Sequence, residues 1–111
     1  MNRRYEIAYD NDNGIIKFKG DIQVFNLDEG EALLKKVESI IEQKEDAVTL
    51  DFLNVSFGNS SFLTSLSKLI YNAEKKNKTV RVCARKSSTW QLRSFTSLSK
   101  FAKTLEIDWA D

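Results

Sequence analysis

The sequence predicts a single α/β domain in which a mostly parallel, open sheet of about five strands carries its helices on one face only. Three observations predict it. The period of the apolar residues switches back and forth between 2 and 3.6, as alternating strands and helices require. The order is strand, strand, then three helix–strand pairs, and a helix between successive strands implies right-handed crossovers and parallel pairing. Every strand alternates polar with apolar residues, whereas parallel strands covered on both faces read as continuous apolar runs. At 111 residues the chain holds one core, so the domain is taken as residues 1–111.

The elements follow in order. Tyr5, Ile7 and Tyr9 alternate with Glu6 and Ala8, and Asn11–Gly14 then supply turn chemistry. Ile16 and Phe18 alternate with Lys17 and Lys19. From Asp28 to about Gln43, Leu33, Leu34, Val37, Ile40 and Ile41 share one helical face. Asn26 with Glu29, or Asp28 with Glu31, makes a capping box at its start. Val48, Leu50 and Phe52 alternate with Thr49 and Asp51, and a short loop is expected to follow. The second helix runs from about Ser60 to Lys76 with Phe62, Leu63, Leu66, Leu69, Ile70 and Ala73 as its stripe. Val80, Val82 and Ala84 form the next strand. A third helix begins near Ser88, with Gln91 three residues on, and carries Leu92, Phe95 and Leu98 as its apolar residues. Leu105, Ile107 and Trp109 close the sheet. Lys17, Lys19, Thr49, Asp51, Arg81 and Arg85 are left on the open face.

Composition removes several classes of function. There is no histidine, which takes away the commonest general base and the commonest zinc ligand together. Cys83 is the only cysteine, so no intramolecular disulfide forms, and its place on the polar phase of a strand suits a tolerated small residue better than a reactive thiol. No G-x-G-x-x-G, P-loop or G-x-S-x-G motif occurs. Gly58-Asn59-Ser60-Ser61 looks like a nucleophile turn, but a serine nucleophile needs a base. The chain is therefore expected to be no enzyme and to hold no cofactor or metal. Lys+Arg number 17 against 16 Asp+Glu, so no overall field favours nucleic acid or an anionic membrane. Arg3 and Arg4 are not followed by an apolar signal segment, and no apolar run approaches the roughly 20 residues of a membrane helix. The expectation is a cytoplasmic protein with no membrane insertion.

The informative stretch runs from Asp51 to Leu63: a strand with an acid, then Asn59-Ser60-Ser61 leading straight into an amphipathic helix. Taken alone, these three residues are good helix caps, and capping is their ordinary role. The segment also resembles the pattern D-[LF]-x-x-V-x-[FY] followed by x-D-S-[SA]-G-L, with Asp51, Phe52, Val55, Ser56, Phe57, Ser60, Ser61 and Leu63 fitting. Gly20-Asp21-Ile22, ahead of the first helix, and Ser97-Leu98 followed by Phe101 and Leu105–Ile107 fit the flanking parts. In order and spacing, from about Ile15 to Trp109, the chain resembles the STAS domain family of anti-sigma factor antagonists.

The resemblance implies the same open-faced sheet and a regulatory protein-binding module. It implies that Ser60 is phosphorylated by a partner anti-sigma factor acting as a serine kinase, and that Asn59, Ser60, Ser61 and Phe62 form the docking surface. Two residues depart from the pattern: Asn59 stands at the aspartate and Phe62 at the glycine. Phe62 thus has two expected places, the docking surface by resemblance and the core by its helical stripe with Leu66, Leu69 and Ala73. The departures also suit an alternative, a constitutive, non-phosphorylated STAS-like subunit of a transporter or signalling assembly.

Overall fold

The computed structural model describes residues 4–111, so Arg3 lies outside the described residues. Strand β1 (Tyr5–Asp10) and strand β2 (Ile15–Ile22) form an antiparallel hairpin. Asp10 closes its turn by accepting from the Asn13 side chain at 2.8 Å and the Asn13 backbone N–H at 3.2 Å. Helix α1 (Leu27–Gln43), strand β3 (Val48–Gly58), helix α2 (Ser60–Lys75), strand β4 (Val80–Ala84), helix α3 (Thr89–Phe101) and strand β5 (Glu106–Trp109) follow. The spatial order is β1-β2-β3-β4-β5, with every pair after the hairpin parallel. Because each right-handed crossover steps in the same direction, all three helices are laid on the same face.

The burial pattern agrees. Ile16, Phe18, Leu50, Phe52, Val80 and Val82 point under the helices and are buried, while Lys17, Lys19, Thr49, Asp51 and Arg81 stay exposed or half-exposed. The core is aromatic at its centre. Phe18 and Phe52 stack at 4.6 Å, and the Phe62 ring stands edge-on to both at 6.3 Å. Burial of each such side chain stabilises the fold by roughly 1.5–3 kcal/mol.

Helix α1 starts as its residues dictate. Asn26 Oδ1 accepts from Glu29 N at 2.9 Å, and the Glu29 carboxylate reaches back to Phe25 N at 2.9 Å. Gly30 marks its close crossing with α2, since a Cβ there would lie 2.1 Å from Ser65 Oγ.

Three features depart from the sequence pattern. First, no loop follows Asp51, because β3 runs on to Gly58 beside β2, which in turn extends through Gly20-Asp21-Ile22. The register slips twice on the way, between Lys17 and Lys19 and between Gly20 and Asp21. Each slip changes which face a residue takes, so Val55 is buried although it lies three residues after Phe52. Simple alternation cannot follow a strand through such a bulge. Second, Leu92 is exposed, and its neighbour Gln91 is fully buried in its place. Third, Gln91 completes no capping box, and Ser88 caps α3 without a side-chain bond. Instead Gln91 Nε2 donates to Phe52 O at 2.9 Å and Val55 O at 3.1 Å, and its Oε1 accepts from Arg85 N at 2.8 Å. Arg85 Nε adds a bond to Leu53 O at 2.7 Å. The bulge thus has its backbone satisfied by side chains from outside the strand, as a buried backbone must.

Candidate functional site

The end of β3 delivers one residue, Asn59, between the sheet and α2. Its backbone is extended, with φ −78 and ψ 170. Its N–H donates to Ile22 O at 3.1 Å and its carbonyl accepts from Leu63 N at 2.9 Å. The side chain does two jobs. Oδ1 caps α2 by accepting from Phe62 N at 3.1 Å, and also accepts from Val24 N at 3.3 Å. Nδ2 donates to Val24 O at 2.8 Å. Asn59 therefore ties the β2–α1 connection to the start of α2. An aspartate could accept both bonds but could not donate the third.

Ser60 is the first helical residue and is exposed, and Ser61 is half-buried behind it. The first turn of α2 contains no acidic residue, whereas α1 has Asp28 and Glu29 there. The positive end of the α2 dipole is thus uncompensated, and an anion added at Ser60 would meet a favourable field. Phe62 faces the other way. Its ring is fully buried between sheet and helix, the place its helical stripe with Leu66, Leu69 and Ala73 predicts. Gly58 explains the fit: a Cβ there would lie 3.0 Å from the Phe62 ring and 3.3 Å from the Trp90 ring.

The residues that do face outward here were not found from the sequence. Phe25, one position past the clasped Val24, is 93% exposed. Phe57, two residues before Asn59, is 44% exposed and meets the Trp90 ring edge-on at 6.2 Å. Leu27, at the start of α1, is also exposed. A shallow depression of about 400 Å³ beside Phe25 is lined by Arg4, Gln23, Val24, Phe25 and Asn59. The available signal was an aromatic, Phe25, placed between a strand and a helix where neither period accounts for it.

Elsewhere the side-chain chemistry is quiet. Burial raises the Cys83 thiol pKa, with Asp51 and Asp108 on the flanking strands adding to the effect, so the thiol stays protonated. Among the described residues, no group of three or more acids or cysteines is placed to hold a metal ion. Nor is any helix among them long and apolar enough to cross a membrane.

No protein-family model matches the chain, and no curated protein matches it. Solved structures do share its fold. A chain in the crystal structure of diguanylate cyclase SiaD in complex with its activator SiaC, from Pseudomonas aeruginosa, superposes with a TM-score of 0.68 at 14% identity, covering 93% of this chain and 89% of that one. The structure of SiaC of Pseudomonas aeruginosa gives a TM-score of 0.62 at 15% identity, covering 93% of this chain and 88% of the other. At such identity the likeness is one of fold: a five-stranded, mostly parallel sheet with three helices, shared over nearly the full length of both chains.

Proposed function

We propose that this chain is a regulatory protein-binding module, with no catalytic activity of its own, that docks a protein partner through the surface at the start of α2. The observation that carries the reading is Phe25, 93% exposed beside the Asn59–Val24 clasp and the exposed Ser60. Covering such a ring is worth roughly 1.5–3 kcal/mol, and nothing in the fold uses it. The fold likeness supports the reading, since SiaC is the activator in a complex with a diguanylate cyclase. A signalling enzyme, an anti-sigma factor kinase or a transporter subunit are partner classes of this kind.

Phosphorylation of Ser60 is the proposed switch. A phosphate adds about −1.5 to −2 charge to a surface that must lose water on docking. The α2 N-terminus tolerates that charge, with a favourable contribution of about 0.3–1 kcal/mol. The fold is kept and the partner is lost.

One observation favours the constitutive alternative, a subunit with no switch. The Asn59 side chain is fully committed to Val24 and Phe62, so no carboxylate stands beside Ser60 to orient its hydroxyl. Intact-mass analysis of protein from native cells, across growth conditions, separates the two. A phosphate on Ser60 supports the switch. Its absence in every condition, together with unchanged partner affinity for Ser60→Glu, would leave the constitutive subunit.

A further inference from the structure

A second surface lies between α2 and α3. Leu63 and Tyr71 on α2 face Leu98 and Phe101 on α3 across a groove of about 410 Å³, floored by the buried Phe95 and Ala102. Tyr71 is 56% exposed and Phe101 81% exposed. Leu63 and Tyr71 are eight residues apart on one helix, so the groove extends roughly 12 Å along it. That length accommodates two turns of a docked helix, read at i, i+4 and i+7.

The side chains around this groove are mostly cationic, with the Glu74 carboxylate, which accepts from Lys103 N at 3.1 Å, beside them. From Lys75 to Leu105 the chain holds nine Lys/Arg and no Asp/Glu, while residues 1–74 hold thirteen Asp/Glu against eight Lys/Arg. A near-neutral total conceals this division. Among those nine cations, Lys76, Arg81 and Arg85 are neutralised by Glu42, Glu106 and Asp111. Lys75, Arg93, Lys100 and Lys103 form no ion pair with any described residue. Each of the last three adjoins a groove-lining residue in sequence, and Lys75 Nζ sits 4.9 Å from the centre of the Tyr71 ring. A second copy of this chain does not suit the groove. Its acidic helix, α1, carries five carboxylates but has its apolar residues Leu34, Val37, Ile40 and Ile41 buried.

We propose that the α2–α3 groove receives an amphipathic helix of a protein partner, one whose apolar face is flanked by acidic residues. The apolar stripe meets Leu63, Tyr71, Leu98 and Phe101, and the carboxylates meet the unpaired cations of α3 and its flanks. Charge complementarity selects the partner and steers its approach, while the buried apolar contacts hold it. The groove starts at Leu63, one turn along α2 from Ser60, and shares no lining residue with the depression beside Phe25.

The test is selection from a randomised library of helical peptides about five turns long, followed by affinity measurements on the selected sequences. Winners are expected to repeat apolar residues at helical spacing with Asp/Glu beside them. Phe101→Ser, at an exposed position that leaves the core intact, should weaken them about tenfold or more. The pair Lys100→Glu and Lys103→Glu should do the same, and added salt should weaken binding further. Winners should keep their affinity for Phe25→Ala, which bears only on the other surface. Basic or unpatterned winners, no enrichment at all, or winners indifferent to Phe101→Ser would overturn the proposal. So would winners lost with Phe25→Ala. Binding of the protein to phosphatidylglycerol vesicles or a single-stranded oligonucleotide, abolished by the lysine pair in the absence of peptide enrichment, would assign the cations to those ligands instead.

Discussion

Asn59 holds Val24 by both of its backbone polar groups, giving Nδ2 to the carbonyl at 2.8 Å and taking the N–H on Oδ1 at 3.3 Å. The same oxygen caps α2 through Phe62 N at 3.1 Å. One carboxamide therefore sets both the helix start and the connection that presents Phe25.

Asn59→Asp is the informative change, because it restores the residue that the resemblance places here. It keeps the cap but sets a carboxylate oxygen against the Val24 carbonyl. The expected loss is about 1–3 kcal/mol, the cost of an unsatisfied, part-buried group. That exceeds the roughly 0.3–1 kcal/mol gained from a negative charge at the helix N-terminus. Urea denaturation should show a lower midpoint for Asn59→Asp than for the wild type. An equal or higher midpoint would mean that the Val24 clasp contributes nothing.

Gln91 should be among the least replaceable polar residues. Gln91→Leu strips partners from Phe52 O, Val55 O and Arg85 N, with an expected cost of about 3 kcal/mol or more. Gln91→Glu removes the donor and buries a carboxylate beside two carbonyls. Both the burial and the carbonyls raise the folded-state pKa of that acid. Its stability deficit should therefore be smallest at acidic pH and grow as pH rises through and above about 4.3, the ordinary glutamate value. Melting temperatures of variant and wild type, compared across pH, check the sign. A deficit independent of pH would show that the side chain leaves the core.

Much of this fold was legible because its signals are local. The alternation of Val48, Leu50 and Phe52, the stripe of Val37, Ile40 and Ile41, and the Asn26–Glu29 cap all lie within a few residues of sequence. What stayed hidden depends on partners far along the chain. Asn59 reads as a cap, but its clasp on Val24 spans 35 residues. Gln91 reads as a helix-start polar residue, yet its partners on β3 lie 36 and 39 residues away. The bulge it secures breaks the two-residue period, so the strand appears to end at Asp51. Phe25 is silent for a different reason: an exposed aromatic outside any periodic element leaves no pattern to read.

Gly30 and Ser65 should be coupled. A methyl at position 30 would fall 2.1 Å from Ser65 Oγ and 2.9 Å from its Cβ, so Gly30→Ala must push the helices apart. The overpacking is expected to cost about 1–3 kcal/mol, offsetting the roughly 1 kcal/mol of helix propensity that alanine brings. Ser65→Ala alone should be close to neutral, because its buried hydroxyl has no partner. Combining the two should recover part of the Gly30→Ala loss. A double-mutant cycle with no interaction energy would contradict this close crossing.

Phe62 and Phe25 should separate folding from binding. Phe62→Ala empties a fully buried site and should cost about 3–5 kcal/mol of folding free energy. Phe25→Ala removes a ring that packs against almost nothing and should change stability by no more than about 0.5 kcal/mol. Denaturant melts of the two variants give the comparison directly. Comparable losses would mean that Phe25 is packed in solution.

The proposed docking surface is the one that carries Phe25 and Ser60. Its most direct test is the affinity of wild type, Phe25→Ala and Ser60→Glu for the partner co-purified from native cells, measured by isothermal titration with folding verified by melting. Both variants are expected to melt like the wild type and bind about tenfold or more weakly, a loss of roughly 1.4 kcal/mol or greater. Wild-type affinity in both, with the fold intact, would contradict it.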